Sequence, residues 1–168
     1  YAAGRSLAEQ HHTQLKLDIT DFQYYPLRSY LLDAFHITGT IASDSELQEV
    51  RGRFARGPMA RLTKLLIPSL YRHPVSYIQE KNEDFDPSIL SLPDNQYITG
   101  YWQSEKYFST IAPIIRQEFQ FNYEPDEKNK AILDRIHSTT AISVQVRRGD
   151  YVQNASANAL HGTTTSDY

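Results

Sequence analysis

Two adjacent arginines near the end of this 168-residue chain are the side chains that most clearly suggest chemistry. Residues 144–151 read Val-Gln-Val-Arg-Arg-Gly-Asp-Tyr, and the largely apolar residues 141–144 predict, together with Val146, a buried strand. Arg147 and Arg148 would therefore follow a strand, at the edge where open α/β sheets bind ligands. A guanidinium grips two phosphate oxygens at once, so the pair predicts a phosphate-bearing ligand.

The residues beside the two arginines are compatible with such a ligand. Gly149 allows a sharp turn or a close approach of the backbone. The amide of Gln145 is able to donate a hydrogen bond to phosphate, although it does not titrate near neutral pH. The alternative is an ordinary surface turn, because arginines after a strand are common and Arg-Gly-Asp also occurs in exposed turns. These residues alone leave both hypotheses open.

The octet at residues 144–151 resembles the signature of the α1,2-fucosyltransferases, in which His-x-Arg-Arg-x-Asp is often continued by Tyr. Four other stretches resemble that family in the same order along the chain. They are residues 1–8 (the helix after the family's Gly-Gly-Leu-Gly-Asn-Gln loop), 28–35 (a segment after its second strand), 100–108 (its Gly-Tyr-aromatic-Gln segment) and 161–163 (a His-Gly turn). The resemblance covers essentially the whole chain, and residues 100–108 are the most distinctive of these stretches.

Three departures from the family pattern restrict what the resemblance implies. Gln145 stands where the family has His, and Thr164 stands where many relatives have Cys. The chain also opens inside a helix and ends soon after the arginine motif. We therefore expect the glycine-rich loop and most of the donor-binding half to lie outside it. Such a piece is expected to be inactive by itself, because catalysis needs groups from both halves held at once.

For the fold, the resemblance implies an incomplete α/β structure of the two-lobed, Rossmann-like GT-B type. Residues 1–130 would form the N-terminal lobe with its first strand missing, and residues 131–168 would begin the donor-binding lobe. The charged connector 125–130 is the expected boundary. A helix at 1–14 followed by a strand at 15–19 has the order of a βαβ unit.

Other patterns predict further elements along the chain. A helix is predicted at 43–50, with Ser43 and Glu46 as a capping box. A strand at 96–102, ending at a glycine, and a short helix at 131–137 are also predicted. Between them, a helix at 104–119 would be capped by Ser104, and its inward-facing residues would be Tyr107, Phe108, Ile111, Ile114 and Ile115.

For function, the resemblance implies a galactoside 2-α-L-fucosyltransferase. Such an enzyme moves L-fucose from GDP-fucose to the 2-hydroxyl of a galactose-terminated glycan, with inversion and without a metal or other cofactor. Negative charge builds on the β-phosphate as the fucose bond breaks. A guanidinium that stabilises this charge contributes about 2.7–4 kcal/mol. Arg147 is the first choice for that contact and Arg148 the second.

Asp150 has three roles open to it: orienting Arg147, binding a donor hydroxyl, or acting as a base. A pKa lowered by two neighbouring arginines favours orientation. Arg147 and Asp150 are thus the catalytic candidates. The donor-binding candidates are Gln145, Arg147, Arg148, Gly149, Tyr151 and His161.

Two other classes of function compete with a transferase. A non-catalytic sugar- or nucleotide-binding fragment is the alternative, and it rests on Gln145 and on where the chain begins and ends. An adhesive module presenting Arg148, Gly149 and Asp150 is disfavoured, because the larger motif accounts for that triplet.

Composition restricts the remaining classes. The net charge of −3 does not favour nucleic-acid binding. The absence of cysteine excludes disulfides, thiol catalysis and cysteine metal sites, and it is compatible with a reducing compartment, so a cytoplasmic location is predicted. No stretch approaches the roughly 20 apolar residues of a membrane span. Most of the 12 tyrosines are expected at half-buried positions rather than in a sugar site.

Two charged segments carry weaker predictions. Residues 51–79 contain six basic and no acidic residues, and the amphipathic part at 51–72 would either lie peripherally on an anionic membrane surface or form a helix with a solvated basic face. Asp84 and Asp86 have the Asp-x-Asp spacing of metal-dependent glycosyltransferases. Their polar, turn-rich surroundings favour a solvated loop instead.

Overall fold

The computed structural model describes residues 1–24, 29–51, 76–82 and 84–144, together with residue 159. The chain divides into two compact units, Tyr1–Tyr123 and Glu124–Tyr168. The division into lobes at residue 130 stays a prediction.

The first unit contains three α-helices and two small parallel sheets among its described residues. The helices are α1 (Ala2–His11), α2 (Asp44–Arg51) and α3 (Ala112–Glu118), and the strands are β1 (Lys16–Leu17), β2 (Thr40–Ile41), β3 (Tyr77–Gln79) and β4 (Tyr97–Thr99). β1 pairs in parallel with β2, and β3 pairs in parallel with β4, so that Ile78 lies opposite Ile98. Helices mixed with parallel strands are compatible with the predicted α/β class.

Small residues let α1 pack closely in the first unit. Ala3 and Ala8 are buried. A Cβ added at Gly4 would lie 3.0 Å from Cδ1 of Leu15, so the glycine lets this leucine side chain pack closely on the helix. The helix ends at His11 rather than at residue 14, because His12 adopts a left-handed conformation with φ 54° and its N–H bonds back to carbonyls of the last turn.

The predicted capping box at the start of α2 is confirmed. The N–H of Ser43 donates to Oε2 of Glu46 at 2.7 Å, and the N–H of Glu46 donates to Oγ of Ser43 at 3.4 Å. The hydrogen bond from the Ser43 backbone is the largest cause that lowers the pKa of Glu46 to about 2. Two orphan donors at the helix start are thereby satisfied.

The helix predicted over 104–119 is wrong as one continuous element. Ser104 does cap a helical turn, since its Oγ accepts from the N–H of Lys106, but two 3-10 turns (Glu105–Tyr107 and Ser109–Ile111) precede α3. Pro113 lies in the first turn of α3, where its missing N–H costs nothing. In the interior of a longer helix the same proline would remove a hydrogen bond and clash with the preceding turn, so the helix restarts there.

The core of the first unit forms where these turns meet α1. Its most buried residues are Tyr107, Ile89 and Ala3. Ile111 and Ile115 are also buried, whereas Phe108 and Ile114 are only partly so. The inward face predicted for 104–119 is therefore largely present, although the backbone that carries it differs.

The second unit contains α4 (Glu127–His137), which begins earlier than the predicted helix at 131–137. Asp126 caps it by accepting a hydrogen bond from the N–H of Asn129 at 2.8 Å. The buried strand predicted from residue 141 is wrong for residues 141–144, where Ile142 and Val144 are more than 80% exposed. A strand needs a neighbour for its backbone groups, and none of the described residues of this unit forms one.

A buried carboxylate connects three segments of the first unit. Glu118, 5% exposed, accepts hydrogen bonds from the Tyr1 hydroxyl at 2.6 Å, Nε of Arg5 at 2.9 Å and Oγ1 of Thr38 at 3.0 Å. Burial raises the pKa of Glu118, but these hydrogen bonds and the charge of Arg5 outweigh burial, so its pKa is lowered. The ionised form thus stabilises the fold.

We expect Glu118→Gln to lower the free energy of unfolding by about 1.5–3 kcal/mol at pH 7, the usual range for hydrogen bonds to a charged group. A depressed pKa contributes stability that is complete above the unfolded value of about 4.3 and is lost as pH falls through the folded value. Urea unfolding at pH 7 and pH 3 should therefore show the variant approaching the wild type in acid. Glu127→Gln, at a carboxylate whose side chain is 94% exposed, is the control. An equal effect of the control, or no pH dependence, would contradict this role.

Candidate functional site

The residues predicted to bind and activate the donor lie outside the described part of the chain. They are Gln145, Arg147, Arg148, Gly149, Asp150, Tyr151 and His161. Among the described residues, the strand ends of the first unit are the positions to consider for a site.

Three strands of the first unit are followed directly by chemically distinctive residues. Asp18 follows β1, Glu80 follows β3 and Gly100 follows β4. Carboxyl ends of parallel strands are where α/β folds place their ligands. These positions are therefore the candidate site within the described residues.

Asp18 lies in a compact polar cluster with Arg51 and Tyr97. Nη2 of Arg51 lies 2.5 Å from Oδ2 of Asp18, and both side chains are 9% exposed. The Tyr97 hydroxyl accepts from Arg51 at 2.8 Å and donates to Asp18 at 2.7 Å. The guanidinium also stands over the Tyr97 ring, 4.7 Å from its centroid, and that ring stacks on Tyr77. Each polar group of the trio thus has partners within the protein.

The electrostatics of this cluster favour fixed protonation states. Burial raises the pKa of Asp18, but hydrogen bonds from Thr20 and Tyr97 and the charge of Arg51 outweigh it, so the pKa is lowered. Burial, followed by the hydrogen bond to Asp18, raises the pKa of Tyr97. Neither group titrates near neutral pH, which suits a structural link better than acid–base catalysis.

The position of Arg51 removes one cation from the predicted membrane-contact segment at 51–72. It is the first cation of that basic segment, and its guanidinium is buried against Asp18 rather than available to a lipid surface. Residues 52–75 lie outside the described part of the chain. No helix among the described residues is both long enough and apolar enough to cross a membrane.

A strained turn follows β4 and is held by Glu80. Gly100 has φ 154° and Trp102 has φ 49°, conformations that side-chain-bearing residues rarely adopt. The Glu80 carboxylate accepts from the N–H of Tyr101 at 2.6 Å and of Trp102 at 3.1 Å, and the Glu80 N–H donates to the carbonyl of Thr99 at 2.8 Å. One side chain thus satisfies two consecutive backbone donors of the turn.

The two aromatic residues of the turn have opposite surroundings. Trp102 packs edge-to-face on the buried Tyr107, with ring centroids 5.6 Å apart. Tyr101 is 82% exposed. The turn therefore anchors one ring in the core and presents the other to solvent.

Asp86, the second of the two aspartates with metal-like spacing, is engaged in local hydrogen bonds. Asp86 caps a 3-10 turn, since its carboxylate accepts from the N–H and hydroxyl of Ser88 at 2.9 and 2.6 Å. The Asp86 N–H donates to the Tyr107 hydroxyl at 2.8 Å. Among the described residues, no group of three His, Asp or Glu side chains is placed to hold a metal ion.

An open cavity of about 380 Å³ lies beside the end of α1. Leu15 and Thr38, which line it, precede β1 and β2, so the cavity lies at the amino ends of these strands rather than at their carboxyl ends. Its other lining residues are Arg5, Ala8, Glu9, His12, Thr13 and Gln14.

Sequence reasoning found part of this site. The strand ending at Gly100 was predicted from its residues, and β4 stops at Thr99. Asp18 was missed, because the predicted strand at 15–19 contains it, whereas β1 stops at Leu17. Glu80 and Tyr101 are 21 positions apart in the chain, and Asp18 and Tyr97 are 79 positions apart. No local sequence pattern encodes hydrogen bonds between residues so far apart.

Comparison with known proteins decides the family. The model of glycosyl transferase family 11 matches residues 74–168, which include Glu80, the turn at 100–102 and the arginine motif. The chain belongs to this family. The resemblance noted from the sequence is thereby confirmed.

One relative aligns with the whole length of this chain. It is an alpha-1,2-colitosyltransferase of Escherichia coli, 29% identical over 170 residues, and the match covers 100% of this chain and 56% of that protein. The chain thus spans little more than half the length of the relative. No solved structure matches.

We expect Gly100→Ala to destabilise the family 11 chain by about 1–3 kcal/mol, the usual cost of a strained backbone residue. The added Cβ would meet the Cβ of Glu80 and lie 2.6 Å from its Oε2, at a φ that alanine disfavours. Urea unfolding measures the loss. Gly39→Ala is the matched control, because its Cβ would meet the flexible end of the Leu17 side chain at 3.1 Å without an unusual φ. A smaller loss at Gly100 than at Gly39 would show that the turn is not constrained.

Proposed function

We propose that this chain is part of an enzyme that transfers L-fucose from GDP-fucose to the 2-hydroxyl of a galactoside acceptor. The observation that carries the proposal is the sequence Arg147-Arg148-Gly149-Asp150, which lies inside the family match. The fold we propose for the complete enzyme is the two-lobed GT-B type. The mixed α/β character of the first unit supports that proposal.

The proposed reaction breaks the bond between C1 of fucose and the β-phosphate oxygen, and the electron pair leaves with GDP. The 2-hydroxyl oxygen of galactose forms the new bond to C1 from the opposite face, with inversion, and its proton passes to a base. Arg147 would neutralise the charge that develops on the β-phosphate, which a fixed guanidinium does without reorganisation. No metal or other cofactor is needed in this scheme.

The other motif residues have supporting roles in the proposal. Asp150 orients Arg147, since a carboxylate beside two arginines is a weak base. Arg148, Gln145, Gly149, Tyr151 and His161 bind the donor. We also propose a cytoplasmic location with peripheral membrane contact through the basic segment 51–72, in which the buried Arg51 takes no part. This rests on the cysteine-free composition and on the remaining basic residues of the segment.

A colitosyl donor is the second candidate, and the name of the Escherichia coli relative favours it. Colitose is L-fucose without its 3-hydroxyl, so the two donors differ by one polar group. A site that hydrogen-bonds a hydroxyl rejects the analogue lacking it by about 10⁴-fold or more, whereas an apolar site discriminates weakly. The ratio of the kcat/KM values for the two donors therefore reports whether the site contains a hydrogen-bond partner for the 3-hydroxyl.

We expect Arg147→Lys in the full-length protein to lower kcat/KM by about 10²–10³-fold while the protein stays folded. Lysine keeps the charge but loses the planar fork that binds two oxygens. A GDP-release assay, with circular dichroism to check the fold, measures the effect. Arg116→Lys, at an exposed position of α3, is the matched control. Unchanged turnover in Arg147→Lys would remove Arg147 from this role.

Donor and metal requirements test the reaction itself. We expect the full-length protein to release GDP from GDP-fucose in a galactoside-dependent manner, and to do so equally in excess EDTA. GDP-colitose assayed in parallel distinguishes the second candidate. Loss of activity in EDTA, restored by Mn²⁺ or Mg²⁺, would contradict the metal-independent scheme. Binding of either donor without transfer would favour the non-catalytic alternative.

A further inference from the structure

The exposed ring of Tyr101 is the feature of the first unit that the motif-based proposal leaves unexplained. Tyr101 lies at the carboxyl end of β4 between two residues with positive φ, Gly100 and Trp102. A side-chain-bearing residue keeps such a strained backbone only where the surrounding structure determines it, often at ligand sites. A glycine is commonplace in such a conformation, but a tryptophan is not.

Contacts on both sides of Tyr101 hold its backbone in place. Glu80 accepts the N–H groups of Tyr101 and Trp102. The Trp102 ring packs on Tyr107, which is 2% exposed and bonds to the N–H of Asp86. The Tyr101 ring thus projects from a turn that is fixed before any ligand arrives, and such pre-organisation lowers the entropy lost on binding.

The chemistry of this surface suits a neutral sugar better than an anionic nucleotide. Two carboxylates lie at or near this turn: that of Glu80, which follows β3 and accepts the N–H groups of the turn, and that of the exposed Glu105. The nearby ammonium of Lys106 stands over the Phe85 ring. Carboxylates repel a diphosphate. A tyrosine ring covers the C–H face of a pyranose while its hydroxyl forms a hydrogen bond, and the exposed amide of Gln103 nearby in the chain adds donors and an acceptor.

We infer that Tyr101 is the platform on which the galactose ring of the acceptor stacks. The inference rests on the proposed function, because it assigns the acceptor side of that reaction. It separates the two substrates: the arginine motif binds the donor diphosphate, and the turn after β4 binds the neutral acceptor.

The test compares Tyr101→Ala and Tyr101→Phe in the full-length protein. Binding of methyl β-galactoside and N-acetyllactosamine is followed by saturation-transfer NMR, GDP affinity by calorimetry, and acceptor KM by GDP release. Tyr101→Ala should weaken galactoside binding and raise the acceptor KM by about tenfold or more, the usual effect of truncating an aromatic anchor. Tyr101→Phe keeps the ring and should lose about fivefold or less. The GDP affinity should not change in either variant.

Tyr123→Ala is the matched control, since Tyr123 is 56% exposed but its ring packs on Phe121. Galactoside binding unchanged in Tyr101→Ala, or equally weakened in Tyr123→Ala, would overturn the inference. A loss of GDP affinity in Tyr101→Ala would overturn it too, because the ring would then serve the donor. Tyr101-dependent galactoside binding without transfer would overturn the proposed function, while the stacking of a galactose ring on Tyr101 would stand. A wild-type protein that binds no galactoside would overturn both.

Discussion

The ion pair between Asp18 and Arg51, with the Tyr97 hydroxyl inserted beside it, connects the two small sheets of the first unit. Asp18 follows β1 and Tyr97 opens β4, while Arg51 ends α2. Removing one partner of such a buried pair leaves an uncompensated charge, which costs about 3–5 kcal/mol. Forming it gains much less, because both charges are withdrawn from water. The cluster therefore fixes which segments meet more than it adds to net stability.

This connection matters because the strands are very short. A pair of two- or three-residue strands has little stability in water and depends on what packs against it. α1 supplies part of that packing through its small residues, and Glu118 bonds α1 and the segment before β2 to α3. The order of the first unit thus comes from side-chain links between elements far apart in the chain, with the sheets themselves contributing few backbone hydrogen bonds.

Local signals were read correctly where the determining residues are neighbours in sequence. The capping box of Ser43 and Glu46 and the strand that stops before Gly100 need only three to five residues to be recognised. Tertiary context decided the remaining elements. The helix predicted over 104–119 ignored Pro113, and the strand predicted over 141–144 assumed a neighbouring strand that the described residues of its unit do not provide. Periodicity reports which side chains are apolar, but it does not report whether a partner is present.

The turn after β4 shows why the motif and the structure point to different halves of the proposed transferase site. The arginines proposed to bind the diphosphate are visible in sequence, because few other residue types do that chemistry. Recognition of a neutral sugar uses a ring face and a hydroxyl, and tyrosines are too common in this chain for composition to single one out. What distinguishes Tyr101 is the backbone around it: a carboxylate bonded to two consecutive N–H groups and a left-handed tryptophan with its ring in the core. Those features exist only once Glu80 and Tyr107 have been brought to the same strand end by the fold.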